Sequence, residues 1–184
     1  SPAFKRAAAA LYERVEPEAV LLTNGATGAN LLAALALVSR GDHVVAEYPS
    51  YQQLYDIPRA LGAEVDLWRI HEDRGWYPDL DELERLVRPD TRLICLNNAN
   101  NPTGTFLDRA FMEQVADIAR SVGAFVLVDE VYLPLVGTED FASIADIYER
   151  GVATNSLSKT YSVPGARIGW TASSPEIAEM LRPY

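Results

Sequence analysis

The feature that most constrains this chain is the regular alternation of short apolar runs with longer amphipathic segments. Ala19 to Thr23 reads as a β-type run, and Gly25 to Gly28 follows it as a stretch of small residues. Asn30 to Ser39 reads as a helix closed by Gly41, His43 to Glu47 as a strand, and Tyr51 to Leu61 as a helix interrupted at Pro58. Val65 to Ile70 alternates as a strand, and Asp79 to Val87 puts Leu80, Leu83, Leu86 and Val87 on one helical face. Leu93 to Asn97, Phe125 to Val128, Val152 to Leu157 and Arg167 to Thr171 supply further strands. Asp108 to Val122 is a long amphipathic helix, and Pro175 opens the last one. A strand–helix repeat of this kind implies a three-layer α-β-α fold of the α/β class, with a mostly parallel central sheet.

Composition narrows the partners. The 184 residues are 48% hydrophobic and 23% charged, enough for one domain with a core of its own. A net charge of −10 argues against nucleic acid and against an anionic membrane surface. The longest apolar run, Ala29 to Val38 broken at Asn30, is too short to span a bilayer. Lone Cys95, inside the run Arg92 to Leu96, has no partner for an internal disulfide and reads as a small buried hydrophobe. A cytoplasmic protein is the expectation. The helical pattern runs on to Tyr184, as in a longer chain cut there.

In an open α/β sheet, ligands bind outside the carboxyl ends of the strands. Here those ends collect short polar groups: Asn24-Gly25, Asn101, Asp129 and Ser156 to Lys159. The small-residue turn Thr23 to Asn30 lets backbone N–H groups approach an anion at a helix start, although such a turn is more often only a turn. It matches neither the phosphate-loop nor the dinucleotide fingerprint, so nucleotide binding gains no support. Asn100 to Gly104 is a turn that adds an asparagine side chain. Asp129, directly after the apolar run Phe125 to Val128, is either a desolvated carboxylate needing a donor or an exposed residue just past its strand. In Ser156 to Trp170, two hydroxyls, a lysine and an arginine surround a Pro-Gly turn. Ser156, Ser158 and Arg167 could hold phosphate and leave the Lys159 amine free; a solvated charged loop is the alternative.

The spacing Ser156-x-Ser158-Lys159-x-x-x-x-Pro164-Gly165-x-Arg167-x-Gly169-Trp170 resembles the lysine signature of class I/II aminotransferases, fold-type I enzymes dependent on pyridoxal 5′-phosphate (PLP). Asn101 to Gly104 and Asp129-Glu-Val-Tyr132 stand in that family's order, and Tyr48-Pro-Ser-Tyr51 resembles its aromatic segment. The likeness runs from about residue 19 to the end. It implies a cofactor-binding large domain over 19–184, after a helical segment over 1–18, with the carboxy-terminal small domain not included.

The resemblance also implies roles. Lys159 would hold PLP as a Schiff base and then move the substrate α-proton. Asp129 would pair with the pyridine nitrogen, and Asn101 and Tyr132 would hydrogen-bond the ring oxygen. Tyr51 would stack on the ring, while Ala26, Thr27, Ser156, Ser158 and Arg167 would hold the phosphate. No metal site is implied. The implied function is transfer of an amino group from an amino acid to a 2-oxo acid, by a homodimer. The family commonly has proline two residues before the asparagine of Asn-Pro-Thr-Gly, and this chain has Ala99. Branches that oxidise, hydroxylate or cyclise arginine-like amino acids therefore stay open, as does a non-catalytic effector domain of a transcriptional regulator.

Overall fold

A computed structural model describes residues 1–134 and 140–184. Its centre is a seven-stranded sheet of β1 (Leu21–Asn24), β2 (His43–Tyr48), β3 (Glu64–Arg69), β4 (Thr91–Asn97), β5 (Phe125–Asp129), β6 (Gly151–Ser156) and β7 (Ile168–Ser173). The spatial order is β1-β7-β6-β5-β4-β2-β3. Strands β6, β5, β4, β2 and β3 run parallel, and β7 is antiparallel to both β6 and β1. The reversal of β7 has a consequence for the site. Its first residues lie at the same sheet end as the last residues of the parallel strands, with Ser156 paired to Gly169.

The central strands read as unbroken apolar runs because both of their faces are covered. Along β4, Leu93 and Cys95 pack with one core cluster and Ile94 and Leu96 with the other. Along β5, Phe125 and Leu127 alternate with Val126 and Val128 in the same way. On the first face lie α2 (Gly25–Leu37), α3 (Gln53–Ala60) and α7 (Pro175–Leu181), through Ala33, Leu37, Leu54, Ile177 and Leu181. On the second lie α1 (Pro2–Ala9), α4 (Leu80–Leu86), α5 (Arg109–Val122) and the single turn α6 (Ile144–Ile147). The fold is the expected three-layer α-β-α sandwich. Residues before β1 join its core: Phe4 meets Trp170 edge-on, and the Tyr12 hydroxyl accepts from the Trp170 indole at 2.9 Å.

Local chemistry sets the helix ends. The Asp108 carboxylate accepts from Phe111 N at 2.8 Å, and Gly123 closes α5 in the left-handed conformation at φ 72°. Between them Phe111, Met112, Val115, Ala116 and Ala119 form the buried stripe. Helix α2 corrects the sequence expectation, starting at Gly25 rather than at Asn30. Its first turn is made of small residues that read as a loop, yet Ala26 and Ala29 are buried against the sheet, which holds them helical. Helix α6 was not anticipated; a four-residue helix carries no periodicity to detect.

Candidate active site

The carboxyl ends of β1, β4, β5 and β6 and the beginning of β7 converge on one crevice of about 250 Å³. All ten residues singled out from the sequence line it: Ala26, Thr27, Tyr51, Asn101, Asp129, Tyr132, Ser156, Ser158, Lys159 and Arg167. Asn97, Val131 and Pro164 complete the lining.

One end of the crevice gathers groups whose chemistry suits an anion. Helix α2 points its amino terminus there, so the free N–H groups of its first turn and the positive end of its dipole face the opening. Gly25 sits at φ 70°, and a Cβ on it would come within 2.5 Å of Arg167 Nη2. A side chain there would push the guanidinium aside, and the positive φ itself favours glycine. Arg167 itself adopts the left-handed region at φ 50°, donating to Pro164 O at 3.0 Å and to Ser158 Oγ at 3.5 Å. The Ser158 amide donates to Ser156 Oγ at 3.2 Å, which bunches both hydroxyls beside the arginine. Gly169 carries no side chain because the Gly25 carbonyl carbon occupies the place of its Cβ, and this contact brings β7 against the start of α2.

The middle of the crevice is governed by Asp129. It is 2% exposed, which answers the alternative left open by the sequence: the carboxylate is desolvated. Its Oδ2 accepts from Asn30 Nδ2 at 2.8 Å and its Oδ1 from Val131 N at 3.1 Å. Burial pushes the carboxyl up to about 6, and those two donors pull the other way. Asn30 is fixed in turn, its Oδ1 accepting from Thr154 Oγ1 at 2.6 Å. Two donors leave lone pairs on Asp129 for a third donor entering the crevice. Lys159 is exposed, its ammonium 5.8 Å from the centre of the Tyr132 ring. Tyr51 closes another wall, its hydroxyl 3.5 Å from Thr27 Oγ1.

The sequence reading missed the groups that stand behind these. Asn97 accepts from Asn101 N at 2.7 Å through its Oδ1 and donates to Asp129 O at 2.7 Å through its Nδ2. Glu47 is 1% exposed and accepts from Asn97 N at 3.0 Å. Asn30 and Glu47 are polar residues inside otherwise apolar patterns, the one signal that could have marked them. Cys95 is fully buried and desolvation pushes its thiol up, which fits a core residue and not a nucleophile. Among the described residues no cluster of histidine, cysteine and carboxylate side chains could hold a metal ion, and no helix is long and apolar enough to cross a membrane.

The family model described as aminotransferase class I and II matches residues 1–184. The aspartate aminotransferase of Thermotoga maritima is 34% identical over 169 residues, covering 89% of this chain and 44% of that protein. The capreomycidine synthase of Streptomyces vinaceus is 32% identical over 183 residues, covering 97% and 47%. A solved structure of a PLP-dependent aminotransferase from Streptococcus suis 89-1591 superposes with a TM-score of 0.97 at 56% identity, covering all of this chain and 49% of that one. The chain spans about half the length of the relatives it matches. With an anion cradle, a buried carboxylate and a lysine drawn together in this way, the chain belongs to the class I and II aminotransferase family.

Proposed function

We propose that this chain is the cofactor-binding part of a PLP-dependent aminotransferase that moves an amino group from an amino acid to a 2-oxo acid. The observation that carries the reading is the meeting, in one crevice, of an amine, a buried carboxylate and an arginine with two serine hydroxyls at a helix start. When bound, PLP supplies an electron-withdrawing ring that makes the α-hydrogen of an attached amino acid acidic. The protein's part is to hold and to aim. Arg167, Ser156, Ser158, the Thr27 hydroxyl and the Ala26 and Thr27 amides hold the phosphate at the start of α2. Asp129 would pair with the ring nitrogen, and a positive charge there would favour its carboxylate form over the protonated one. Asn101 and Tyr132, which line the crevice, would serve the ring oxygen, and Tyr51 would cover a ring face. Lys159 would hold the cofactor through its side-chain amine and, when that amine is free, would be the base placed to take the α-proton from the substrate carbon.

We infer further that the working unit is a cytoplasmic homodimer acting in amino-acid biosynthesis. Among the described residues, Arg167 is the one cation besides Lys159 lining the crevice, so a dianionic phosphate has room for a donor from a neighbouring subunit. The division at residue 18 between a helical segment and the cofactor domain, with a small domain beyond, belongs to the same reading.

The test uses the full-length protein. Borohydride reduction in the presence of PLP should fix the cofactor on Lys159, and Lys159→Ala should lose both the label and the turnover. A label on any other lysine overturns the assignment. Single amino acids are then supplied with and without a 2-oxo acid under O2 monitoring. Product that requires the 2-oxo acid supports transamination, whereas O2 uptake without it, or a cyclised product, replaces it with another reaction on the same scaffold.

A further inference from the structure

Glu47 lies outside the crevice, near the end of β2, and is buried to 1% exposure. A carboxyl in such a place is costly unless donors converge on it. Three do, all on one oxygen. Glu47 Oε2 accepts from Asn97 N at 3.0 Å, from Asn100 Nδ2 at 2.9 Å and from Ser50 Oγ at 3.3 Å. Glu47 Oε1 is buried with no partner among the described residues.

The three donors belong to two separate stretches of chain, and each stretch carries a residue that lines the crevice. Ser50 adjoins Tyr51. Asn97 and Asn100 lie just before Asn101 in the same stretch, and the Asn97 side chain accepts from the Asn101 amide at 2.7 Å. The Asn100 side chain also donates to Pro49 O at 3.2 Å, a second tie between the two stretches. Its Oδ1 accepts from Thr103 N and Oγ1 at 3.2 and 2.9 Å, which folds the 100–104 turn onto the same point.

We propose that Glu47 is a positioning residue, whose Oε2 fastens the Ser50–Tyr51 and Asn97–Asn101 stretches to each other and so fixes the separation of Tyr51 and Asn101 across the crevice. What the crevice holds is taken from the proposed function; the fastening itself is read from the hydrogen bonds. The carboxyl is pushed up to about 7 by burial, opposed by the same three donors. A proton taken up there goes to Oε1, which has no donor to displace, so Oε2 remains an acceptor in both forms. Glutamine offers the same acceptor with an amide in place of Oε1; alanine offers none.

The experiment uses full-length Glu47→Ala and Glu47→Gln beside the wild type, with two independent readouts. In the cofactor-free protein, amide hydrogen exchange should speed up at least about 10-fold at residues 97–104 in Glu47→Ala, leaving α5 amides unchanged, and stay within about 3-fold of wild type in Glu47→Gln. With PLP added, Glu47→Ala should weaken the cofactor about 10-fold or more, in the range typical for groups that orient a site from behind. It should also move the midpoint of the pH titration of the lysine-bound cofactor's absorbance. Glu47→Gln should restore both. Exchange and absorbance within 2-fold of wild type in Glu47→Ala overturn the proposal, as does a Glu47→Gln protein that behaves like Glu47→Ala. If Glu47→Ala does not fold, Asn100→Ala removes one of the three ties and is read against the same expectations. A wild-type protein that binds no PLP sinks the aminotransferase reading, while the exchange measurement still decides whether Glu47 holds the two stretches.

Discussion

At Asp129, burial and hydrogen bonding pull in opposite directions, and burial prevails: the carboxyl is raised to about 6 despite donors from Asn30 and Val131. Asp129→Ala should therefore bind PLP more weakly but lose turnover far more than affinity, by about 10²-fold or more, the scale seen when one group aimed at developing charge is removed. Steady-state rates beside a PLP titration check this, and equal losses in both would mean that another group partners the ring. The pH dependence follows. Binding that requires the carboxylate weakens as pH falls through about 6, because a proton then competes for Asp129. Fluorescence titration of PLP from pH 8 to 5 should reveal this component in the wild type and its absence in Asp129→Ala.

Between elements, β7 meets the start of α2 in backbone contact. Gly169→Ala would drive a methyl group into the Gly25 backbone, which cannot rotate away as a side chain can. It should cost about 1–3 kcal/mol and weaken phosphate-containing ligands more than it weakens the fold. Thermal melts with and without PLP separate the two effects, and an unchanged response to PLP would show that the cradle tolerates the shift. Glu130 anchors α6, its Oε1 accepting from Ser143 Oγ at 3.1 Å and Ile144 N at 3.0 Å, and desolvation raises its carboxyl to about 8. An acid raised in the folded state binds its proton more tightly there than when unfolded. Its contribution is thus fully present below the ordinary value of 4.5 and is lost as pH rises toward 8. Glu130→Gln keeps the acceptor and cannot ionise. It should melt higher than the wild type at pH 8 and converge with it near pH 5; a difference that does not vary with pH would contradict this.

Across the molecule, several large apolar side chains stay exposed, and two of them share a helix face. Leu31 and Leu35, one turn apart on α2, are 43% and 37% exposed, and Leu22 of β1 is 41% exposed. If this face joins two copies in the full-length protein, Leu31→Glu with Leu35→Glu should raise the dimer dissociation constant at least about 100-fold in sedimentation. An unchanged dimer would move the interface elsewhere.

The residues by themselves determined the layering and the list of groups at the strand ends. Unbroken apolar runs such as Phe125 to Val128 satisfy only a strand covered on both faces, and the Lys159 spacing is a local pattern. The start of α2 was not legible, because Gly25 to Ala29 favours a turn until the sheet is there to bury it. Nor was the direction of β7, which depends on pairing with β6 and β1 and not on its own composition. Whether Asp129 was exposed or enclosed turned on Asn30, 99 positions away. Glu47 acts on Asn97 across 50 positions. Periodicity reports the surroundings of a segment within a few residues, whereas a hydrogen bond between distant segments exists only once the sheet has set them side by side.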